Sequence, residues 1–369
     1  MKRGKGRKLN VAVVGVHRGS EFTRYYQRCP YVNLVALCDR NEPFAHAVAK
    51  VMGVPEVYGD FHKLLKRADI EAVCLETGDD SHGALTIAAL EAGKHVQVDV
   101  PLATSIKDLK RIVELSERKH LNVVMCNEVR FWPRIAMVKR MVEEGQLGRI
   151  YYAEGDYLNP IVSRRLPEMK WLQQFAGIPS SRGCKGSWQP HLNSPGLHAL
   201  DTIRWILGGE RMDDVRCHNF GPLAKSERDP KKGDGMAALF TGEFGTIVKI
   251  HANYHPNRTH LNYHAFYGTK GTCESDRVDE FSGPYLFLDS LEHQSHMMKV
   301  PLHMYGVEGS AGHGHEFMDE ILTNDFVFSV LEKRQPLVNV REAARSCAAT
   351  ITAQESAWAG AKIMKIPKF

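Results

Sequence analysis

At 369 residues the chain is longer than one ordinary core, so two domains are the default, and 43% hydrophobic with 25% charged residues is the composition of a soluble globular protein. The net charge of +5 comes partly from the opening run Met1 to Lys8; no basic patch with interleaved aromatics follows it, which argues for a solvated end and against a nucleic-acid arm. No run approaches the roughly 18 apolar residues of a membrane span, and the eight cysteines (29, 38, 74, 126, 184, 217, 273, 347) are scattered without a Cys-x-x-Cys, as buried thiols of a reducing, cytoplasmic protein would be.

Asn10 to Gly15 reads as a buried strand ending on glycine, too short for a signal-peptide core. Ser20 then stands as a helix N-cap with Glu21 in the first turn. A second strand, Val32 to Leu37, ends on Cys38-Asp39-Arg40, and a helix from Glu42 to Val51 closes at Gly53. The plan repeats: helix Phe61 to Lys66, strand Ile70 to Leu75, loop Thr77 to His82, helix Ala84 to Ala92. Next come a strand to Val98, Asp99-Val100-Pro101, a helix from Ser105 to Lys119 and the strand Leu121 to Met125. Strands alternating with helices predict a doubly wound parallel sheet over residues 8–128.

The loop Gly15-Val16-His17-Arg18-Gly19-Ser20 follows the first strand, where the dinucleotide fingerprint wants Gly-x-Gly-x-x-Gly. His17 and Ser20 replace two of those glycines, or else the loop is one residue shorter and Gly19 is its last glycine. Asp39, about twenty residues on, stands where an acid would hold adenosine ribose hydroxyls. Asp39 favours NAD, while Arg18 and Arg40 leave NADP open.

From 129 to 369 the pattern changes. Pro133 opens a helix through about Glu144, and then strands come without helices between them: Ile150 to Tyr157, Ala237 to Phe240, Gly245 to Tyr254, Asn262 to Tyr267 and Gly271 to Cys273. This predicts an α+β domain on a large, open, mostly antiparallel sheet. Pro160 to Pro195 is long and aperiodic, as functional or flexible loops are.

With these pieces placed, the chain resembles the glucose–fructose oxidoreductase/inositol dehydrogenase (Gfo/Idh/MocA) family over nearly its full length. The matching runs are Thr77…Ser81-His82, Ala92-Gly93-Lys94-His95-Val96, Gly196-Leu197-His198-Ala199-Leu200-Asp201, Tyr267-Gly268-Thr269-Lys270-Gly271 and Gln335-Pro336-Leu337-Val338. The resemblance implies a Rossmann domain, a nicotinamide between the domains, a second domain whose sheet often mediates homodimers or homotetramers, and a sugar or polyol substrate. It also exposes a departure. Where the family carries Glu-Lys-Pro this chain has Asp99-Val100-Pro101, and the family's acid four residues before the histidine falls on Ser194.

His198 is the candidate acid/base, with Asp201 three residues on to orient it; with Trp205 they form one face of a helix whose other stripe is Leu200, Ile203 and Leu207. Tyr157 and His191 are further candidate bases; Arg130, Asn159, Trp188, Ser194 and His313 are candidate substrate residues. The cofactor set is Gly15, His17, Arg18, Gly19, Asp39, Arg40, Thr77, His82, Asp99, Pro101 and Asn127. His313 and His315 beside Glu316 favour sugar binding on a glycine-rich loop over a metal site, since i, i+2 histidines do not share a helix face. Three readings stay open: an NAD(P)-dependent oxidoreductase acting on a sugar, polyol or glycoside hydroxyl; a glycosidase using bound NAD by transient oxidation, as the NAD-dependent α-N-acetylgalactosaminidases that resemble this family do; and a catalytically degraded nucleotide-binding relative.

Overall fold

The computed structural model of the chain describes residues 6–159, 195–220, 235–253, 259–279, 282–291, 294–301 and 315–369. Among these, the elements in chain order begin with β1 (Leu9–Val14), α1 (Val16–Arg28), β2 (Val32–Cys38), α2 (Glu42–Met52), β3 (Glu56–Tyr58), α3 (Phe61–Leu65), β4 (Ala72–Leu75), α4 (Asp79–Glu91), β5 (His95–Val98), α5 (Ile106–Lys119) and β6 (Val123–Met125). They continue with α6 (Pro133–Glu143), β7 (Ile150–Leu158), α7 (Pro195–Ile206), β8 (Met212–Phe220), β9 (Gly235–Gly242), β10 (Ile247–Asn253), β11 (Leu261–Gly268) and β12 (Gly271–Glu274). The last are β13 (Tyr285–Leu288), β14 (Met298–Lys299), α8 (His315–Leu331), α9 (Val340–Trp358) and β15 (Met364–Lys365). Two compact units emerge, one running to Glu128 and including His315–Ala344, the other beginning at Val129 and including Arg345–Phe369.

The first unit holds a six-stranded sheet in the order β3-β2-β1-β4-β5-β6, every neighbouring pair parallel. This is the doubly wound sheet that the alternating pattern implies, with the strand order turning back between β1 and β4. Two helices start earlier than the sequence suggests. Helix α1 begins at Val16, directly after Gly15, and Ser20 lies buried inside it with its hydroxyl donating to the His17 carbonyl at 2.7 Å. Gly15 at φ +85° turns the chain at once, and the carboxylate of Asp39 accepts the Val16 N–H at 2.8 Å, so the cap comes from the neighbouring strand. Likewise α4 begins at Asp79, with Asp79 and Asp80 in its first turn. Ser105 does cap α5, accepting from the Asp108 N–H at 3.1 Å.

The division of the chain differs from a single break at 129, because α8 folds with the first unit. Tyr31 meets Phe328 edge-on at 5.4 Å, Gln97 on β5 donates to the Thr323 hydroxyl at 3.2 Å, and Asn122 donates to the Ser329 hydroxyl at 2.9 Å. These buried side chains on β5 and before β6 need polar partners, and α8 brings them.

The second unit is built on a nine-stranded sheet in the order β14-β13-β12-β11-β7-β10-β9-β8-β15. Only β7 and β10 run parallel; the other pairs are antiparallel. Helix α7 lies across β7, and a Cβ at Gly155 would sit 2.9 Å from that of Ala199, so the glycine sets how closely helix and sheet approach. Val248, Ile250 and Ala252 of β10 face the covered side and are buried, while Lys249, His251 and Asn253 alternate with them.

Candidate active site

In the first unit the carboxyl ends of β1, β2, β4, β5 and β6 carry the sequence's cofactor set. Gly15 cannot be exchanged for a larger residue: a Cβ there would run into the Glu76 carbonyl. At Gly19 a Cβ would lie 2.7 Å from a Val13 methyl, so this glycine packs α1 onto β1. Gly15 and Gly19 thus close a loop one residue shorter than Gly-x-Gly-x-x-Gly. His17 sits in the first turn of α1 with its ring stacked at 6.4 Å on Phe44. Asp39 ends β2 with Oδ2 on the Val16 N–H and Oδ1 accepting the Asn41 N–H at 2.9 Å, while Arg40 is exposed. A glycine turn, a helix N-terminus and a carboxylate at the end of the second strand fit a dinucleotide: backbone can approach a pyrophosphate, and the acid can receive ribose hydroxyls.

The third and fourth strand ends are tied together. His82 places its ring nitrogens 2.8 Å from the Pro101 carbonyl and 3.1 Å from the Thr77 carbonyl, and Thr77 and Ser81 share a 2.7 Å hydroxyl contact. Asn127 is buried, its N–H on the Met125 carbonyl. Asp99 accepts its own Val100 N–H at 2.8 Å.

Two carboxylates missing from the sequence reading, Glu76 and Asp319, join Asp99 around Arg18. The Arg18 Nε is 3.2 Å from both Glu76 and Asp99, and its Nη2 is 3.8 Å from Asp319. Burial, and then the charge on Asp99, push the Glu76 carboxyl well above the usual carboxylate range, with Arg18 opposing them. Nothing in the sequence marks Asp319, which arrives from α8. Glu76 is legible only as a carboxylate ending an otherwise apolar strand.

Asp79, in the first turn of α4, is raised to about 6, chiefly by burial, with His82 lowering it and Asp99 raising it. The folded state therefore holds this proton more tightly than the unfolded chain, and stability attached to it falls as pH rises from about 4 through 6. Asp79→Asn is expected to raise stability at pH 7.5 by about 1 kcal/mol and to change nothing at pH 4. Thermal melts of the two proteins at both pH values check this.

In the second unit Tyr157 and His198 form a ring pair. Tyr157 ends β7 on the face covered by α7, and His198 lies in the first turns of α7. Their rings stack at 5.0 Å with 12° between planes, and both are buried. His260, which the sequence reading missed, meets the Tyr157 ring edge-on at 5.1 Å. Asn159 continues the ladder, its N–H on the Asn253 carbonyl at 2.9 Å.

Asp201 and Arg130 are committed to each other. The guanidinium donates from Nε to Oδ2 at 2.8 Å and from Nη2 to Oδ1 at 2.6 Å, and the Ser346 hydroxyl adds a third bond to Oδ1 at 2.7 Å. Both residues are buried, and the Arg130 guanidinium also lies 5.9 Å from the Trp205 ring. The face Asp201–Trp205 read from helical spacing exists, but it receives Arg130. The geometry shows a buried ion pair between these two.

The same covered face of β11 carries Asn262 and His264, i, i+2 polar residues in an apolar strand. His264 is 1% exposed, and among the described residues neither of its ring nitrogens has a hydrogen-bond partner. Burial, reinforced by Arg134, holds it neutral. Trp188, His191, Ser194 and His313 lie outside the described residues. Among the described residues no group of three or more His, Cys, Asp or Glu is arranged to hold a metal ion.

A parallel sheet of this order, with glycine turn and strand-end acid, defines the first unit as a dinucleotide-binding Rossmann domain. Residues 9–127 match the model of the Gfo/Idh/MocA oxidoreductase family, described as NAD-binding Rossmann fold. A glycosyl hydrolase family 109 protein of Shewanella putrefaciens is 31% identical over 296 residues, 71% of this chain. An alpha-N-acetylgalactosaminidase of Shewanella oneidensis is 29% identical over 296 residues. The chain spans 62% of the length of these relatives. Among solved structures, levoglucosan dehydrogenase in complex with NADH and levoglucosan aligns with a TM-score of 0.80 at 20% identity, covering 98% of this chain and 100% of that one. An oxidoreductase domain protein from Kribbella flavida aligns at 0.81, also 20% identical, over 98% and 100%. At these identities the two structures speak for the fold.

Proposed function

We propose that the chain is an NAD-dependent oxidoreductase acting on a hydroxyl of a sugar, polyol or glycoside, with His198 as acid/base. The observation that carries this reading is the stacked Tyr157–His198 pair, in a chain whose other unit is a dinucleotide-binding domain. NAD supplies the hydride acceptor. His198 takes the hydroxyl proton, Tyr157 holds the imidazole plane, and Asp99 receives cofactor ribose hydroxyls. Because position 100 is valine, the proton must be handled without an ammonium group beside it.

A second reading is favoured by the names of the curated relatives, glycosyl hydrolase family 109 and alpha-N-acetylgalactosaminidase, together with Val100. Hydride would pass from a ring hydroxyl carbon to bound NAD+ and so acidify the neighbouring C–H; Tyr157 or His198 would remove that proton as the aglycone leaves as its alcohol. Water would add at the anomeric carbon with the proton returned to its neighbour, and the hydride held by the cofactor would restore the hydroxyl. Incubation with NAD+ and either free polyols or nitrophenyl glycosides separates the two. Stoichiometric NADH from polyols supports the oxidoreductase, whereas nitrophenolate without net NADH supports the glycosidase. Neither product, with cofactor bound, would refute both.

Asp39 supports NAD over NADP, since a fixed carboxylate repels a 2′-phosphate. Phe220, Leu239 and Ile247 are exposed on strands of the second sheet, which supports a homodimer or homotetramer formed through it. The seven cysteines among the described residues are all buried and unbridged, in keeping with a cytoplasmic protein, and no described helix is long and apolar enough to cross a membrane.

A further inference from the structure

We infer that Arg18 is the positioning residue for Asp99: from the first turns of α1 it supplies the cation that Val100 does not. The inference rests on the dinucleotide reading above and concerns only the first unit. The Arg18 side chain runs from the glycine turn after β1 across the end of β4 to the end of β5, so it does not lie beside Asp39 and Arg40 as a 2′-phosphate ligand would. Its Nε lies 3.2 Å from Asp99 Oδ2, and Asp99 Oδ1 is already taken by the Val100 N–H. Both oxygens of Asp99 are thereby fixed at the end of β5, where ligands of open α/β sheets bind.

The guanidinium is itself braced. Glu76 is wholly buried and Asp319 is 1% exposed, and both face Arg18, whose Cζ lies 5.6 Å from the Phe22 ring. Glu76 and Asp319 point one edge of the fork inward, and 40% of the side chain stays exposed. A lysine could satisfy one of these carboxylates as a point charge but could not span three from a planar fork. Asp99 is one methylene shorter than the glutamate of the family signature. A partner from α1 lets the shorter acid keep one orientation without a lysine next to it.

The test is NAD+ binding to the full chain, followed by calorimetry for wild type, Arg18→Gln, Arg18→Lys, Asp99→Asn and Arg18→Gln/Asp99→Asn. Arg18→Gln is expected to weaken binding about 10-fold, since Asp99 loses the positive charge 3.2 Å from it, and Arg18→Lys to recover part of that loss. The double variant should bind no worse than the weaker single, because both changes remove one interaction. A purely structural brace would not be restored in part by Arg18→Lys, which keeps the positive charge beside Asp99 but loses the planar fork. Binding by Arg18→Gln within about 2-fold of wild type, or losses that multiply in the double variant, overturns the inference. If Arg18→Gln does not fold, the Arg18→Lys/Asp99→Asn cycle is read the same way. A wild-type chain that binds no NAD+ is a distinct result: it removes the dinucleotide reading, and this inference with it.

Discussion

His198→Ala is expected to lower turnover by about 10²- to 10⁴-fold, the usual contribution of a positioned acid or base, on whichever substrate class proves active. NAD+ affinity should stay within about 2-fold of wild type, since His198 belongs to the second unit and the glycine turn and Asp39 to the first. Steady-state kinetics with product detected independently of NADH covers both reactions. Turnover within about 10-fold of wild type would remove His198 from the mechanism and leave Tyr157 as the base to examine. Tyr157→Phe keeps the stacked ring and deletes only the phenol, so it reports whether that hydroxyl takes part.

Arg130→Met is expected to destabilise the protein by about 3–5 kcal/mol, because Asp201 would be left charged in a buried site. In a unit of this size that corresponds to a fall in melting temperature of roughly 10 °C or more. Arg130→Met/Asp201→Leu, which removes both charges, should recover much of the loss. Thermal melts at pH 7.5 decide the matter. A stable Arg130→Met that has lost only substrate affinity would return Arg130 to the substrate residues and contradict the ion-pair assignment.

The architecture was legible where one rule sufficed. Strands of four to seven apolar residues alternating with helices announce a parallel sheet, and the alternation through Val248, Ile250 and Ala252 announces a sheet with one covered face. Boundaries failed where distant residues decided them. Ser20 and the stretch before Ala84 carry ordinary local signals, but Asp39 and Gly15 start α1 four residues ahead of Ser20, and α4 begins already at Asp79. Short strands β3, β14 and β15 were invisible because two or three residues hold no period.

The site was legible by residue type and not by partnership. Helical spacing groups His198, Asp201 and Trp205, but it cannot say that Arg130, seventy-one residues away, claims the carboxylate. Glu76, Asp319, His260 and His264 escaped for the same reason: each becomes informative only through a neighbour that the fold delivers. Arg18 stood in the right loop, yet only the positions of β4, β5 and α8 show which acids it meets.

The placement of α8 bears on how the nucleotide-binding half could be isolated. A fragment stopped at Glu128 would carry all six parallel strands but would strip Gln97 and Asn122 of their hydroxyl and carbonyl mates on and just after α8. It would also take Asp319 from Arg18. Bare amides in a newly wetted groove would favour aggregation over a stable miniature. A self-sufficient version has to graft residues 315–344 back onto the first 128 through an added tether, so that the late helix is restored to its early neighbours.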